Sequence, residues 1–226
     1  MSYGTNAPAG LQPVKTIANA TWNGAVYPYL LASGYAQNVF KGDAVSLGTT
    51  ADNALYQGYV ISIYSRGAGT YQLLPTLGSA DGFSFAVPPS VNPVDNANPG
   101  RPYWAANTVT IGGVPAVASL INDPAVIYEI QTVGGANGAV QSMCGQFSSF
   151  GFTVASGLVQ GNLYTGQSSM FLDMTGYAPA NTPATRNFFI NELSNNPKNY
   201  PGVLYNNVQG LIANHYFRTM PVNLSA

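Results

Sequence analysis

The stretch NDPAVIYEIQT, residues 122–132, is rich in β-branched and aromatic residues from Val126 onward, which is typical of a β-strand. Val126, Tyr128 and Ile130 fall on one face of such a strand, whereas Glu129 falls on the other. The Asn-Asp-Pro sequence at its start is typical of a turn. The stretch therefore predicts a turn followed by a strand that buries one face in a core.

Asp123 and Glu129 lie in this stretch, in a chain with only eight acidic residues. An extended backbone rises about 3.3 Å per residue, so six positions separate the two residues by roughly 20 Å. The carboxylates of glycosidases lie roughly 5 to 9.5 Å apart. We therefore exclude an acid–base pair within one strand. Asp123 is expected to be a turn residue before Pro124, and Glu129 is either a solvent-side strand residue or a paired interface carboxylate.

Similar β-branched and aromatic runs recur along the chain and are separated by turn residues. They lie at 25–31, 57–65, 103–111, 114–121, 125–133, 169–173, 186–192 and 203–217. The 25 glycines and 16 prolines disfavour helix interiors. No segment keeps a helical period for more than about two turns. We expect an all-β fold, an antiparallel β-sandwich of jelly-roll type, with under about one-tenth helix.

The chain is expected to form one domain with an N-terminal extension. Residues 1–21 read as an extended arm, and residues 22–226 read as a single β domain. Long loops are expected near 66–102 and 175–200, where proline and glycine interrupt any regular backbone ladder. We therefore treat the arm and the loops as the regions that a partner protein would contact.

The arm carries apolar or rigid residues among small polar ones. Leu11, Pro13, Val14 and Ile17 are too few to form a core but too apolar for an ordinary disordered tail. Proline holds the chain extended, which lowers the entropy lost on docking. We expect these four residues to contact a partner or a neighbouring protomer, and an added strand at an exposed sheet edge is one such contact.

Charged residues make up only 7% of the chain, and the net charge is −1. Soluble domains usually carry roughly a quarter charged residues, so we expect a largely neutral surface or one covered by a partner. The seven basic residues are scattered, which disfavours direct binding to nucleic acid. They are Lys15, Lys41, Arg66, Arg101, Arg186, Lys198 and Arg218.

No export or membrane signal is visible in the sequence. The first residues, MSYGTNAPAG, lack a basic region followed by an apolar stretch, and no apolar run is long enough to cross a membrane. Cys144 is the only cysteine, so no disulfide framework forms. We expect synthesis in the cytoplasm and no membrane partner.

The sequence offers little material for catalysis. His215 and Cys144 are the only histidine and the only cysteine, and no G-x-S-x-G motif occurs. One histidine and one cysteine do not make the usual zinc sites, and the acidic residues do not match an EF-hand loop. We expect no enzyme activity, no cofactor and no metal, with Cys144 as a buried apolar filler.

Several stretches resemble a family of tailed-bacteriophage structural proteins that decorate or cement the head shell. GLQPVKTIANATWNGAVYPYLLAS looks like that family's opening segment, and NVFKGDAVSLG resembles its Phe-x-Gly-Asp-x-Val element. DPAVIYEIQT is similar to a strand of the family. TGQSSMFLD and NNPKNYPGVLYNNVQGLIANHYF resemble its C-terminal half. The resemblance spans most of the chain in the right order.

The resemblance implies a virion structural protein on the outer capsid surface, without enzymatic chemistry. Its partners would be the major capsid protein, which it would cement, and further copies of itself in a homotrimer. The arm residues would then contact the capsid or another protomer. The alternative is another virion component, such as a head-fibre or tail protein that binds host glycans through some of the 15 tyrosines. A hydrolase is a third and weaker alternative.

The charge deficit and the resemblance together predict a homotrimer away from the shell. Large neutral surfaces on a lone protomer would be exposed to other copies, and a closed cyclic interface covers them. Sedimentation velocity at micromolar concentration should show one species of three times the chain mass. A stable monomer at that concentration would contradict the prediction.

Overall fold

The computed structural model describes residues 7–47, 60–62, 76–84, 102–134, 138–152, 161–174, 187–195 and 199–217. Within these ranges the chain is almost entirely β, with short 3-10 turns at Ile111–Gly113 and Gln141–Met143 and no α-helix. This confirms the all-β prediction. The strands are β1 (Gln12–Thr16), β2 (Tyr27–Leu31), β3 (Val39–Phe40), β4 (Ala44–Leu47), β5 (Val60–Ser62), β6 (Gly78–Ser84), β7 (Tyr103–Trp104), β8 (Ala116–Ile121), β9 (Val126–Val133), β10 (Phe147–Phe152), β11 (Met170–Asp173), β12 (Phe188–Leu193) and β13 (Asn207–Ile212).

The first sheet closes into a ring of five strands. β9 pairs with β11 and with β13, and the order β9–β11–β10–β12–β13 returns to β9. β1 pairs with β9 as a sixth strand outside the ring. All these pairs are antiparallel except β9 with β11, which is parallel. The parallel pair differs from the antiparallel sheet expected from sequence, and it arises because β10 intervenes between the two strands and reverses the chain direction.

The second sheet has the order β2–β8–β6–β4–β5 and is antiparallel throughout. The sheet is curled: its two edge strands, β2 and β5, lie close to each other. A short separate ladder joins β3 to β7. The chain therefore builds two curled sheets.

Each of the two sheets packs around its own apolar core. The core of the ring buries large side chains of β9 to β13, and Ala44 and Ile121 of the second sheet reach into it. Tyr128 is 1% exposed there, and its hydroxyl donates to the carbonyl oxygen of Ile121 at 3.0 Å. This bond satisfies a polar group that would otherwise be costly to bury. The second core is lined by Leu31, Val39, Val45, Leu77, Phe83, Trp104 and Leu120.

The face of β9 that carries Val126, Tyr128 and Ile130 is buried as its sequence predicts, and Ile127 on the opposite face is buried as well. Glu129 and Gln131 are half-buried. Asp123 is confirmed as a turn residue. Its carboxylate accepts a hydrogen bond from the Ala125 backbone N–H at 2.8 Å, and its carbonyl oxygen accepts one from Val126 N at 3.2 Å.

Five strands lie outside the runs predicted from sequence, namely β1, β3, β4, β6 and β10. β6, with the sequence GSADGFS, lies inside the expected loop at 66–102, and a bulge between Ala80 and Gly82 interrupts its register. β1 lies inside the expected arm and pairs with β9 of the same chain. The outer edge of β1 is partly covered, since Trp22 N donates to Val14 O. The expected strand at 103–111 is shortened to Tyr103–Trp104. The loop expected near 175–200 contains β12, and its residues 175–186 and 196–198 lie outside the described residues. Most of the strand expected at 57–65 also lies outside them.

Gly10 and Gly24 provide a matched test of this packing. Both have left-handed backbones, with φ of 71° and 81°. A Cβ on Gly10 would meet the carbonyl group of Gly42 and would lie 2.8 Å from Ser168 Cβ, whereas a Cβ on Gly24 would meet nothing within 4 Å. Gly24→Ala should lower the free energy of unfolding by about 1–2 kcal/mol through backbone strain alone. Gly10→Ala should cost about 1–3 kcal/mol more through overlap.

Denaturant unfolding of both variants and of the unmodified chain measures this difference. Equal midpoints for Gly10→Ala and Gly24→Ala would contradict the close approach of residues 10 and 42.

Candidate interaction surface

The four residues expected to contact a partner lie in different environments. Leu11 is 1% exposed and belongs to the core of the ring, so its side chain has almost no surface for a partner. Pro13 and Val14 are half-buried in β1. Ile17 is 54% exposed. The structure therefore differs from the sequence-based expectation at Leu11, because β1 brings that residue into the chain's own core.

The NVFKGDAV element forms a buried junction around Asp43. The Asp43 carboxylate is 1% exposed and accepts hydrogen bonds from Phe40 N at 2.8 Å and from the Ser168 hydroxyl at 2.5 Å. The Ser168 oxygen accepts in turn from Met170 N at 2.9 Å. Leu11 N donates to Gly42 O at 2.8 Å beside this carboxylate. The junction joins the N-terminal segment, β4 and the approach to β11, so its role is structural.

Glu129 is held by neutral donors from its own chain. Asn207 Nδ2 donates to its Oε1 at 2.9 Å, and Gln209 Nε2 donates to its Oε2 at 3.3 Å. The Ser194 hydroxyl also donates to Oε2. Ser194 follows β12, and the two amides lie on β13. Glu129 therefore links neighbouring strands of the ring.

Both lysines in the described ranges are paired within the chain. Lys15 Nζ lies 2.7 Å from Glu192 Oε1, and Lys41 Nζ lies 2.8 Å from Asp81 Oδ1. Each pair is partly exposed, and such pairs contribute little to stability. Because both lysines are paired, neither presents an unbalanced charge to a partner.

Cys144 and His215 occupy structural positions. Cys144 is partly buried against the core of the ring. His215 is 3% exposed, its backbone forms a parallel bridge with Thr76, and its Nδ1 accepts from Phe217 N at 3.1 Å. Burial raises the pKa of the Cys144 thiol, and the Glu192 carboxylate raises it further. A raised thiol pKa disfavours the thiolate that a nucleophile or a metal ligand requires.

Six residues on the outer side of the second sheet carry no charge, and we call them the neutral face; Asp81, which precedes Gly82 in β6, is charged and is paired with Lys41. The register pairs Leu30 with Val117 and Val117 with Ser84, all on the side opposite the core. Val117 is 38% exposed, a large fraction for an apolar strand residue. The neutral face consists of Pro28, Leu30, Gly82, Ser84, Val117 and Ser119.

An apolar turn at residues 109–114 leads into the neutral face. Val109, Ile111 and Val114 are 59%, 50% and 64% exposed. The buried Thr110 fixes this turn, because its N–H donates to Ser33 Oγ at 3.1 Å and its hydroxyl donates to the Val114 carbonyl oxygen. Exposed apolar side chains on a fixed backbone are a feature of protein contact surfaces.

No protein-family model, curated protein or solved structure matches this chain. Over the described ranges, no helix is long and apolar enough to span a membrane. The same residues contain no group of three or more His, Cys, Asp or Glu side chains that would hold a metal ion. The candidate surface is therefore described from the chain's own geometry alone.

No direct signal for this surface is visible in the sequence. Val109, Ile111 and Val114 belong to runs predicted as strands, and a strand prediction does not say which apolar residues remain exposed. The glycine pair after Ile111 was the available signal, because Gly112 and Gly113 have φ of 63° and 71° and form the turn.

The raised pKa of Cys144 predicts slow alkylation near neutral pH. Because iodoacetamide reacts with the thiolate, the rate should reach its half-maximum at a higher pH than for a short unstructured cysteine peptide. In denaturant the midpoint should return to that of the peptide. A midpoint in the folded protein at or below the peptide value would contradict the burial of this thiol.

Proposed function

We propose that this chain is a virion structural protein that binds the outside of an assembled phage capsid and cements neighbouring major capsid proteins. The observation that carries the proposal is the neutral face together with the apolar turn at 109–114. These surfaces expose Val109, Ile111, Val114 and Val117 and contain no charged side chain. They suit a permanent protein contact, because burying them does not require charges to be desolvated.

Cementing follows from preferential binding to one state of the shell. A protein that binds the assembled shell but not its separated subunits stabilises the shell by mass action. Many copies act on one particle, so each contact can be modest. The chain needs no catalytic group for this role, and the positions of Cys144 and His215 fit a protein without enzyme activity, cofactor or metal.

The remaining features of the proposal concern assembly. The two curled sheets are proposed to form a jelly-roll-like sandwich, and the chain is proposed to act as a homotrimer on the capsid surface after synthesis in the host cytoplasm. Its partners are the major capsid protein and its own copies, with no role for nucleic acid. Among the four candidate arm residues, Ile17 is the most accessible to these partners, since it is 54% exposed.

A second candidate is a head-fibre or tail protein that binds host glycans. The observation in its favour is a pair of exposed aromatic rings, Tyr216 and Phe217, which are 52% and 56% exposed. Their centroids lie 5.5 Å apart with the rings nearly perpendicular. Specific retention of the chain on a host-surface glycan, lost in Tyr216→Ala, would favour this alternative.

Co-sedimentation with purified phage shells that lack this chain tests the proposed function. We expect saturable binding at a fixed ratio to the major shell protein and an increase in the temperature at which shells rupture. Because the contact is uncharged, binding should change little between about 0.01 M and about 1 M salt, a range over which the Debye length falls from about 30 Å to about 3 Å.

Separated shell subunits serve as the control and should not bind. Failure to bind assembled shells, or binding without any gain in their heat resistance, would overturn the proposal. Binding that disappears at high salt would instead show that charges carry the contact.

A further inference from the structure

Residues 161–168 form a tight hairpin that ends in an apolar tip. Gly161 and Ser168 form an antiparallel bridge at its base. Asn162 N donates to Gln167 O at 2.8 Å, and Gly166 N donates to Asn162 O at 2.7 Å. These bonds close the backbone around residues 162–165.

The Asn162 side chain fixes the tip from within. Its Oδ1 accepts hydrogen bonds from Tyr164 N at 2.9 Å and from Thr165 N at 3.1 Å. Such an Asn side chain replaces a backbone acceptor and holds the turn in one conformation. The tip is therefore pre-organised without help from Leu163 or from the Tyr164 ring.

The base of the hairpin is fixed to the body of the protein. Lys41 N donates to Gly166 O at 3.0 Å, and Ser168 N donates to Lys41 O at 2.9 Å. A Cβ on Gly161 would lie 2.6 Å from the ring of the buried Phe40, so this glycine permits a close approach. Ser168 also belongs to the Asp43 junction. The tip is thus supported by one of the most buried parts of the chain.

The side chains at the tip face solvent. Tyr164 is 100% exposed and Leu163 is 48% exposed, and both flanking residues, Asn162 and Thr165, are exposed and uncharged. A fully exposed ring adds nothing to the folded core. Rigid aromatic side chains of this kind are typical anchors of protein interfaces, because little conformational entropy is lost when they are buried.

We propose that Leu163 and Tyr164 form an anchor that inserts into an uncharged, apolar pocket of the major shell protein. This inference rests on the proposed function and adds the residues that make the contact. A tyrosine buries about 150–250 Å². That is well below the roughly 800 Å² per partner of a self-sufficient interface. One tip is therefore too small to hold two copies of this chain together, but it suffices as one of many repeated attachments to a shell lattice.

Tyr164→Ala tests the anchor, with Tyr200→Ala as the matched control. Tyr200 is another exposed tyrosine, at 55%, outside the hairpin. Tyr164→Ala should weaken binding to assembled shells at least about tenfold, a size common for aromatic anchors. Tyr200→Ala should leave binding within about twofold, as expected for a residue outside the contact. Tyr164→Ala should unfold at the same temperature as the unmodified chain, because its ring is fully exposed, and the unfolding temperature of Tyr200→Ala is measured alongside.

Two further variants distinguish the contribution of the Tyr164 ring from that of the Asn162 side chain that holds the turn. Tyr164→Phe keeps the ring and should retain most of the binding if the pocket is apolar. Asn162→Ala keeps both anchor side chains but removes the acceptor that fixes the turn. Its affinity for assembled shells should therefore lie between that of the unmodified chain and that of Tyr164→Ala.

The outcomes distinguish this inference from the proposed function. If the unmodified chain binds shells and Tyr164→Ala binds equally well, the anchor is wrong and the proposed function stands. If the unmodified chain does not bind shells, the proposed function fails and the anchor fails with it. If Tyr164→Ala instead lowers the mass of the free assembly in sedimentation, the pocket belongs to a second copy, which overturns its assignment to the shell protein.

Discussion

β9 is hydrogen-bonded on both edges, and this double pairing closes the ring on which the other elements depend. β13 occupies one edge along Asn207–Gly210, while β1 and β11 share the other edge in succession. Without the pairing to β13 the sheet would be open, with exposed backbone groups at two long edges. Closure also places Tyr128 and Ile130 inside the ring, where the core forms around them.

The sequence predicts this strand well and others poorly, for identifiable physical reasons. β9 is predicted well because Val126, Tyr128 and Ile130 place three large apolar side chains on one face, while Glu129 and Gln131 lie on the other. β6 has the sequence GSADGFS, in which glycine and aspartate are poor strand formers, so its strand state depends on neighbours β4 and β8. β1 is short and contains Pro13, and its pairing partner lies more than a hundred positions away. Local patterns do not contain that information.

The same limit applies to the candidate contact surface. The low charge of the chain predicts a neutral surface, and both described lysines have their partners within the chain. The location of the surface depends on which apolar residues the fold leaves outside, and sequence spacing does not reveal this for Val117 or Tyr164. The partners of Glu129 are equally remote in sequence, at Ser194, Asn207 and Gln209. Only the closed ring brings them together.

Two of the few acidic side chains, those of Asp43 and Glu129, are hydrogen-bonded within the fold. Asp43 and Glu129 are used to join segments, and their oxygens are occupied by backbone, hydroxyl and amide donors of the same chain. Lys15 and Lys41 are balanced at the described surface by Glu192 and Asp81. The carboxyl groups of Asp43 and Glu129 instead act within the fold, where they hold together segments that are remote in sequence.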